Sequence, residues 1–327
     1  MQSNEHVDVS ITIDTEEDDW DSYAPDGKSV GNILRLPDLQ EVFDRWGARP
    51  TYLVNYAPLV DAGAVETLGA LAARDDVEIG AHLHPWCTPP ITLSGEDNSF
   101  MRDAPADDNR AKLATVVGLI SSELGVQAKS FRAGRWGFGP TVSSVLADVG
   151  IEVDSSVSPL TDWRRMGGPD FTGAPLTPYR FSPADPVTPR PNGELAQLPP
   201  TVGFLSGDDR ARQAIRAKLE ASFLSKFKLV GIADRAGLLT RRWLSPELSS
   251  AGEMIRLAEG CVRRGRRFLN LTFHSGILLP GATPFVSDED DRARFLAALD
   301  HVLGRFQQSG YRFRTLLEAS RDPATFV

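Results

Sequence analysis

Short runs of β-branched and apolar residues alternate with stretches whose apolar positions recur at helical spacing, the pattern of an α/β fold with a mainly parallel sheet or barrel. Residues 7–14, VDVSITID, read as a first strand. In 36–47, LPDLQEVFDRWG, the residues Leu39, Val42, Phe43 and Trp46 share a helical face and Gly47 is a stop signal. Strands follow at 50–56, 76–84, 128–134 and 151–157, separated by helical patterns at 64–75, 109–125 and 141–150. From 158 to 207 the chain is rich in Pro and Gly without a sustained period, and predicts an irregular insertion, a lid or a substrate-shaping segment with short strands such as 194–199. Helical patterns return at 208–227 and 246–265, then an apolar strand at 267–275, counted as the seventh, and a last helix at 288–310.

Composition narrows this picture only at its edges. The N-terminus carries no basic segment followed by an apolar one, and no apolar run approaches a membrane-spanning length, so a cytoplasmic address without membrane insertion is expected. Cys87 and Cys261 are too few for a disulfide framework and suit a reducing compartment. A net charge of -9 argues against nucleic acid as a partner. The basic cluster at 263–267, RRGRR, closes a helical pattern, where cations favour the helix end.

Candidate chemistry collects where the apolar strands run out. The first strand ends in TIDTEEDDW, where Asp14 and Glu16 point to one side because alternate strand residues share a face, while Glu17, Asp18 and Asp19 read as a solvated acidic turn. The third strand ends in EIGAHLHPW, whose His82 and His84 are again two residues apart, and imidazole with carboxylate is a donor set for zinc, iron or a related divalent ion. Cys87 is either a further soft ligand or an ordinary buried thiol. Arg132 and Arg135 flank a Gly-containing turn, and His274 ends a late strand. In an α/β barrel such strand ends form the face that carries the active site.

These motifs, TIDTEED, EIGAHLHPW, FRAGRWG, DSSV and LNLTFHS, occur in the order of those of the polysaccharide deacetylases, the NodB-homology or carbohydrate esterase 4 group. The chain resembles in particular the cytoplasmic branch known as WalW-like proteins. The resemblance spans nearly the whole chain and implies one catalytic domain over 1–327, folded as a distorted (β/α) barrel. It implies metal-assisted removal of an N-acetyl or related acyl group from a sugar, with zinc the expected ion and iron, cobalt or nickel as other choices. Asp14 then matches the general base, Arg132 the residue that orients it, His274 the general acid and Asp154 the residue that tunes His274. His82 and His84 match the metal histidines.

The chain also departs from the common motifs. Thr15 stands where a second aspartate is usual, so the metal carboxylate is assigned to Glu16. A single residue separates the two histidines, leaving His84 either a metal ligand or a substrate contact, and Gly134 replaces a common proline. A backbone N–H of this 132–136 turn is a candidate oxyanion donor. Trp86, Arg135 and Trp136 are candidates for substrate binding, with Trp20 and Trp163 further aromatic platforms. Arg164, Arg165, Arg180 and Arg190 are candidates for phosphates of a nucleotide- or lipid-linked sugar. A hydrolase of another small amide, and a catalytically idle module binding saccharide or protein, are the alternatives.

Overall fold

The computed structural model describes residues 6–91, 99–221 and 239–326. Strands and helices alternate through β1 (Asp8–Thr15), α1 (Leu36–Trp46), β2 (Pro50–Val54), α2 (Ala62–Ala72), β3 (Glu78–Leu83), α3 (Ala106–Leu124), β4 (Ser130–Ala133), α4 (Pro140–Leu146) and β5 (Val153–Asp154). The central segment adds β6 (Tyr179–Phe181), β7 (Leu195–Gln197) and β8 (Val202–Phe204), followed by α5 (Asp209–Ala221). The chain continues through β9 (Arg241–Trp243), α6 (Ala251–Arg263), β10 (Phe268–His274), α7 (Glu289–Gln308), β11 (Arg312–Phe313) and α8 (Leu316–Arg321). The helix expected over 208–227 is present to Ala221, and its remainder lies outside the described residues.

The main sheet runs β10-β1-β2-β3-β4-β5-β7-β6, with β11 also on β1, and β8 and β9 form a separate ribbon. All its pairings are parallel except β6 with β7. The ends of the chain meet because β1 and β10 are neighbours, with Asp14 opposite His274. This pairing unites them without a closed ladder. The remaining gap is bridged by single hydrogen bonds: Thr201 N to Asn270 O (3.0 Å), Leu244 N to Thr201 O (2.8 Å) and Thr272 N to Leu244 O (3.0 Å).

Alternation along β1 explains both faces of this curled sheet. Val9, Ile11 and Ile13 are fully buried in the main core, each contributing about 1.5–3 kcal/mol of transfer free energy. Between them Ser10, Thr12 and Asp14 are buried too. Thr12 donates to Asn270 Oδ1 (3.0 Å) and accepts from Arg132 Nη2 (2.7 Å), so the opposite face is a polar column. That column makes room for a charged side chain inside the sheet. The basic run after α6 is structural: Arg264 and Arg266 pair with Asp209, which also accepts from Phe204 N (2.7 Å). Among the described residues no helix is long and apolar enough to cross a membrane.

Candidate active site and metal centre

Glu16 follows β1, and His82 and His84 lie at the end of β3. Glu16 Oε2 is 3.1 Å from His82 Nε2 and 3.0 Å from His84 Nε2, and the two imidazole nitrogens are 3.0 Å apart. Bonds of about 2.0–2.2 Å from a divalent ion to nitrogen and oxygen place neighbouring donors about 3 Å apart, so this triangle has the dimensions of one face of a coordination shell. The other ring nitrogens are committed elsewhere. His82 Nδ1 donates to the Arg132 carbonyl (2.8 Å), and His84 Nδ1 donates to Glu17 Oε1 (2.9 Å). Each Nε2 is thereby left as the atom that can face an ion, the outer-shell arrangement that orients metal histidines. Without a cation or a proton, two lone pairs and a carboxylate oxygen would repel one another at these distances, so the donor set fits a divalent ion.

Glu17 was expected in a solvated turn and is instead buried, accepting from His84 Nδ1 and Asn55 Nδ2. Burial raises its pKa, but the His84 charge and hydrogen bond outweigh this and hold it at about 2. Glu16 is likewise held well below the usual range: burial opposes ionisation, and His84 and His82 overcome it. Asp18 also leaves the solvated turn, accepting from Gly31 N (2.7 Å) and Asn32 N (3.0 Å). Cys87 lies in a second donor group with Glu17 and His84, and burial foremost pushes its thiol up.

Beside the triangle stands a buried ion pair. Arg132, wholly buried on β4, donates from Nη1 to Asp14 Oδ1 (2.6 Å) and Thr272 Oγ1 (2.8 Å), and from Nε to Ser155 O (3.0 Å). Five donors in a fixed fork suit it to that polar column. Asp14 Oδ2 is 3.8 Å from His274 Nε2. The other face of His274 meets Glu247, which accepts from His274 Nδ1 (3.0 Å) and from its backbone N–H (2.8 Å). Burial alone would lower the imidazole pKa, but Glu247 by charge and hydrogen bond raises it to about 10.

Asp154 is not the partner of His274. It is fully buried on β5 and accepts from Ser156 N (2.8 Å), Ser156 Oγ (2.6 Å) and Gln197 Nε2. Burial pushes its carboxyl up to about 6 despite these bonds. Glu247 occupies the place expected of it. The pattern at 246–265 predicts a helix that would enclose Glu247, yet α6 begins at Ala251 behind a Ser250–Glu253 capping box. That Ser-x-x-Glu signature was the signal that would have left Glu247 in a loop.

A cleft of about 290 Å³ opens over these groups, lined by Asp14, Glu16, His82, His84 and His274 together with aromatic side chains. Trp86 stacks on His84 (4.2 Å between centroids) and meets Tyr23 edge-on. Trp136 lies parallel to Trp163 at 6.4 Å, and Trp20 stands edge-on to His274 at 5.0 Å. Arg135 also lines the cleft, with its guanidinium over Tyr23 and Phe100 and a hydrogen bond to Ser99. Arg135 and Trp136 both adopt positive φ (54° and 57°), strain of the kind stored at functional sites. The turn approaches so closely because Gly134 has no side chain: a Cβ there would be 2.4 Å from His84 Cδ2 and 2.7 Å from Leu83 O. The central arginines do not reach the cleft; Arg164 pairs with Asp162 and Asp170, and Arg180 covers Phe326.

Fold and site together define a class: an α/β half-barrel carrying a buried two-histidine, one-carboxylate donor set at its strand ends. No family model matches the sequence, and no curated protein matches it. Solved structures match the fold. A candidate glycoside hydrolase/deacetylase from Parabacteroides distasonis is similar at a TM-score of 0.58 and 13% identity, over 95% of this chain and 70% of that one. A candidate polysaccharide deacetylase from Mycobacterium smegmatis gives 0.48 and 13%, over 97% and 96%. A family 4 acetyl xylan esterase from Clostridium thermocellum, in complex with a cobalt ion, gives 0.44 and 15%, over 95% and 89%. The chain shares its fold with the first of these.

Proposed function

We propose that this protein is a metal-dependent deacetylase that hydrolyses an N-acyl group on a sugar or a saccharide intermediate. The observation that carries the reading is the meeting of three groups at one cleft: the Glu16–His82–His84 triangle, the Asp14–Arg132 pair behind it and the His274–Glu247 pair. Glu16, His82 and His84 would hold a divalent ion, zinc being the first choice for two imidazoles and a carboxylate. Such an ion supplies charge that polarises an acyl carbonyl and acidifies water.

The remaining steps belong to the chain. Arg132 pins Oδ1 of Asp14 and leaves Oδ2 on the side of His274, so Asp14 is placed to take a proton from the attacking water. His274, kept protonated by Glu247, is placed to give a proton to the departing amine. Trp86 and Trp136 flank the bound sugar, and Arg135 shapes the wall between them. The chain acts as one catalytic unit in which residues 158–207 contribute Trp163 and Met166 to the cleft.

The test couples metal content to product. Elemental analysis of purified protein beside the His82→Ala, His84→Ala double variant is expected to find near-stoichiometric ion only in the former. Acetate release from N-acetylamino sugars should follow the ion. Tight metal binding without release from any acylamide would leave a binding module instead.

A further inference from the structure

The side chains over the donor triangle describe the substrate more narrowly than the fold does. Five of the six tryptophans, Trp20, Trp86, Trp136, Trp163 and Trp243, line the cleft. They make separate walls, with Trp243 5.3 Å from Trp136 on one and Trp20 against Phe285 at 5.5 Å on another. At the mouth the lining turns aliphatic. Met166 is 59% exposed and Leu248 51%, and both border the cleft. Large apolar groups left in water beside an apolar cavity are the mark of a surface that a ligand covers.

Charge sharpens this. Six carboxylic side chains line the cleft, Asp14, Glu16, Glu17, Asp19, Asp21 and Glu247, against one arginine and no lysine. Asp19 has its own partner in Lys28 at 3.4 Å. Asp14 is likewise paired with Arg132, and the remaining four acids are matched by the four positive charges of a divalent ion, Arg135 and a protonated His274. Arg135 is moreover held between two rings and on Ser99. A diphosphate entering such a cleft would meet no surplus of positive charge. The volume of about 290 Å³ is at the small end for ligand pockets and suits one ring with a substituent, not several linked sugars.

We propose that the cleft takes an uncharged, single-ring acylamide whose alkyl or aryl substituent lies between Met166 and Leu248 at the mouth. This rests on the reading of the site as an amide hydrolase. It sets aside the nucleotide-linked sugars and polymers that a polysaccharide-deacetylase fold brings to mind.

The zinc-loaded protein would be offered octyl 2-acetamido-2-deoxy-β-D-glucopyranoside, free N-acetylglucosamine, its UDP derivative and chitotetraose. Binding is followed by quenching of tryptophan fluorescence and turnover by acetate release. The octyl glycoside should quench most strongly and be hydrolysed with a kcat/KM about tenfold or more above the free sugar. A Met166→Ser, Leu248→Ser variant should bring that ratio close to one. Quenching by the octyl glycoside without turnover of any compound would uphold the cleft assignment and sink the hydrolase reading. Equal use of all four compounds, preference for the UDP derivative or chitotetraose, or no quenching by the octyl glycoside would overturn the assignment.

Discussion

The carboxylate of Glu247 accepts from both Nδ1 and the backbone N–H of His274, so one side chain fixes the ring's tautomer, its orientation and its charge. An imidazole raised to about 10 keeps its proton across the neutral range. The contribution of this pair to stability is fully present below about pH 6.5, the ordinary histidine value, and is lost as pH rises through about 10. A Glu247→Gln variant keeps the shape and removes the charge. The alkaline limb of its pH–rate profile should move down toward the ordinary value, costing roughly tenfold or more in kcat/KM at pH 8 and much less at pH 6. An unmoved limb would mean that His274 is not the proton donor. Gly134 tests the other half of the site. A Cβ added there would meet the His84 ring and the Leu83 backbone carbonyl, and the carbonyl cannot rotate away. Gly134→Ala should therefore displace His84 and lower bound metal severalfold at equal free zinc, with the fold retained by circular dichroism.

Element boundaries decide which side chains are free to act. Ser250 accepts from Glu253 N, and Glu253 returns the bond to the Ser250 backbone, starting α6 at Ala251. Ser250→Ala should cost about 1 kcal/mol and lower the melting temperature by about 1–2 °C. A change within error would show that the box contributes nothing net. The same cap explains what was hard to read. Leu248 N and Ser249 N both donate to Ser245 O, so a single turn precedes the cap and extends the helical spacing back over Glu247. The first four strands were legible within two residues at each end and β5 within three, because each is a short β-rich run set between helical patterns. The three-residue strands β6, β8 and β9 were not, since three residues carry no period and β9 reads Arg-Arg-Trp. At the site, Asp14, Glu16, His82 and His84 were visible as pairs on one strand face. Glu17, Asn55 and Glu247 were not, because their partners are set by strand neighbours far apart in sequence.

Across the whole molecule the parallel pairing of β1 with β10 and of β3 with β4 gathers the site, and it also concentrates charge. Glu16 and Glu17 are buried and held ionised well below neutral pH, so neither gives up a proton when a metal enters at pH 7. His84 differs. Burial lowers its pKa, yet Glu17 and Glu16 raise it well above the ordinary value, so without metal its Nε2 carries a proton at the centre of the triangle. That proton occupies the position an ion would take, because the Nδ1 proton is already given to Glu17. Metal loading at pH 7 should therefore release about one proton per ion, and the release should fade as pH rises through the His84 pKa. Calorimetric titration with zinc in two buffers of different ionisation heat reads the count directly. The exchange replaces one positive charge with two beside two buried carboxylates, and so favours the folded state. At a free ion concentration 100 times its Kd the gain is about 2.7 kcal/mol, and chelation should lower the melting temperature by several degrees. Zinc binding with no proton released would mean that His84 is neutral in the metal-free protein and that the two carboxylates are balanced by another cation. Equal melting temperatures with zinc and with chelator would remove the ion from the folded state altogether.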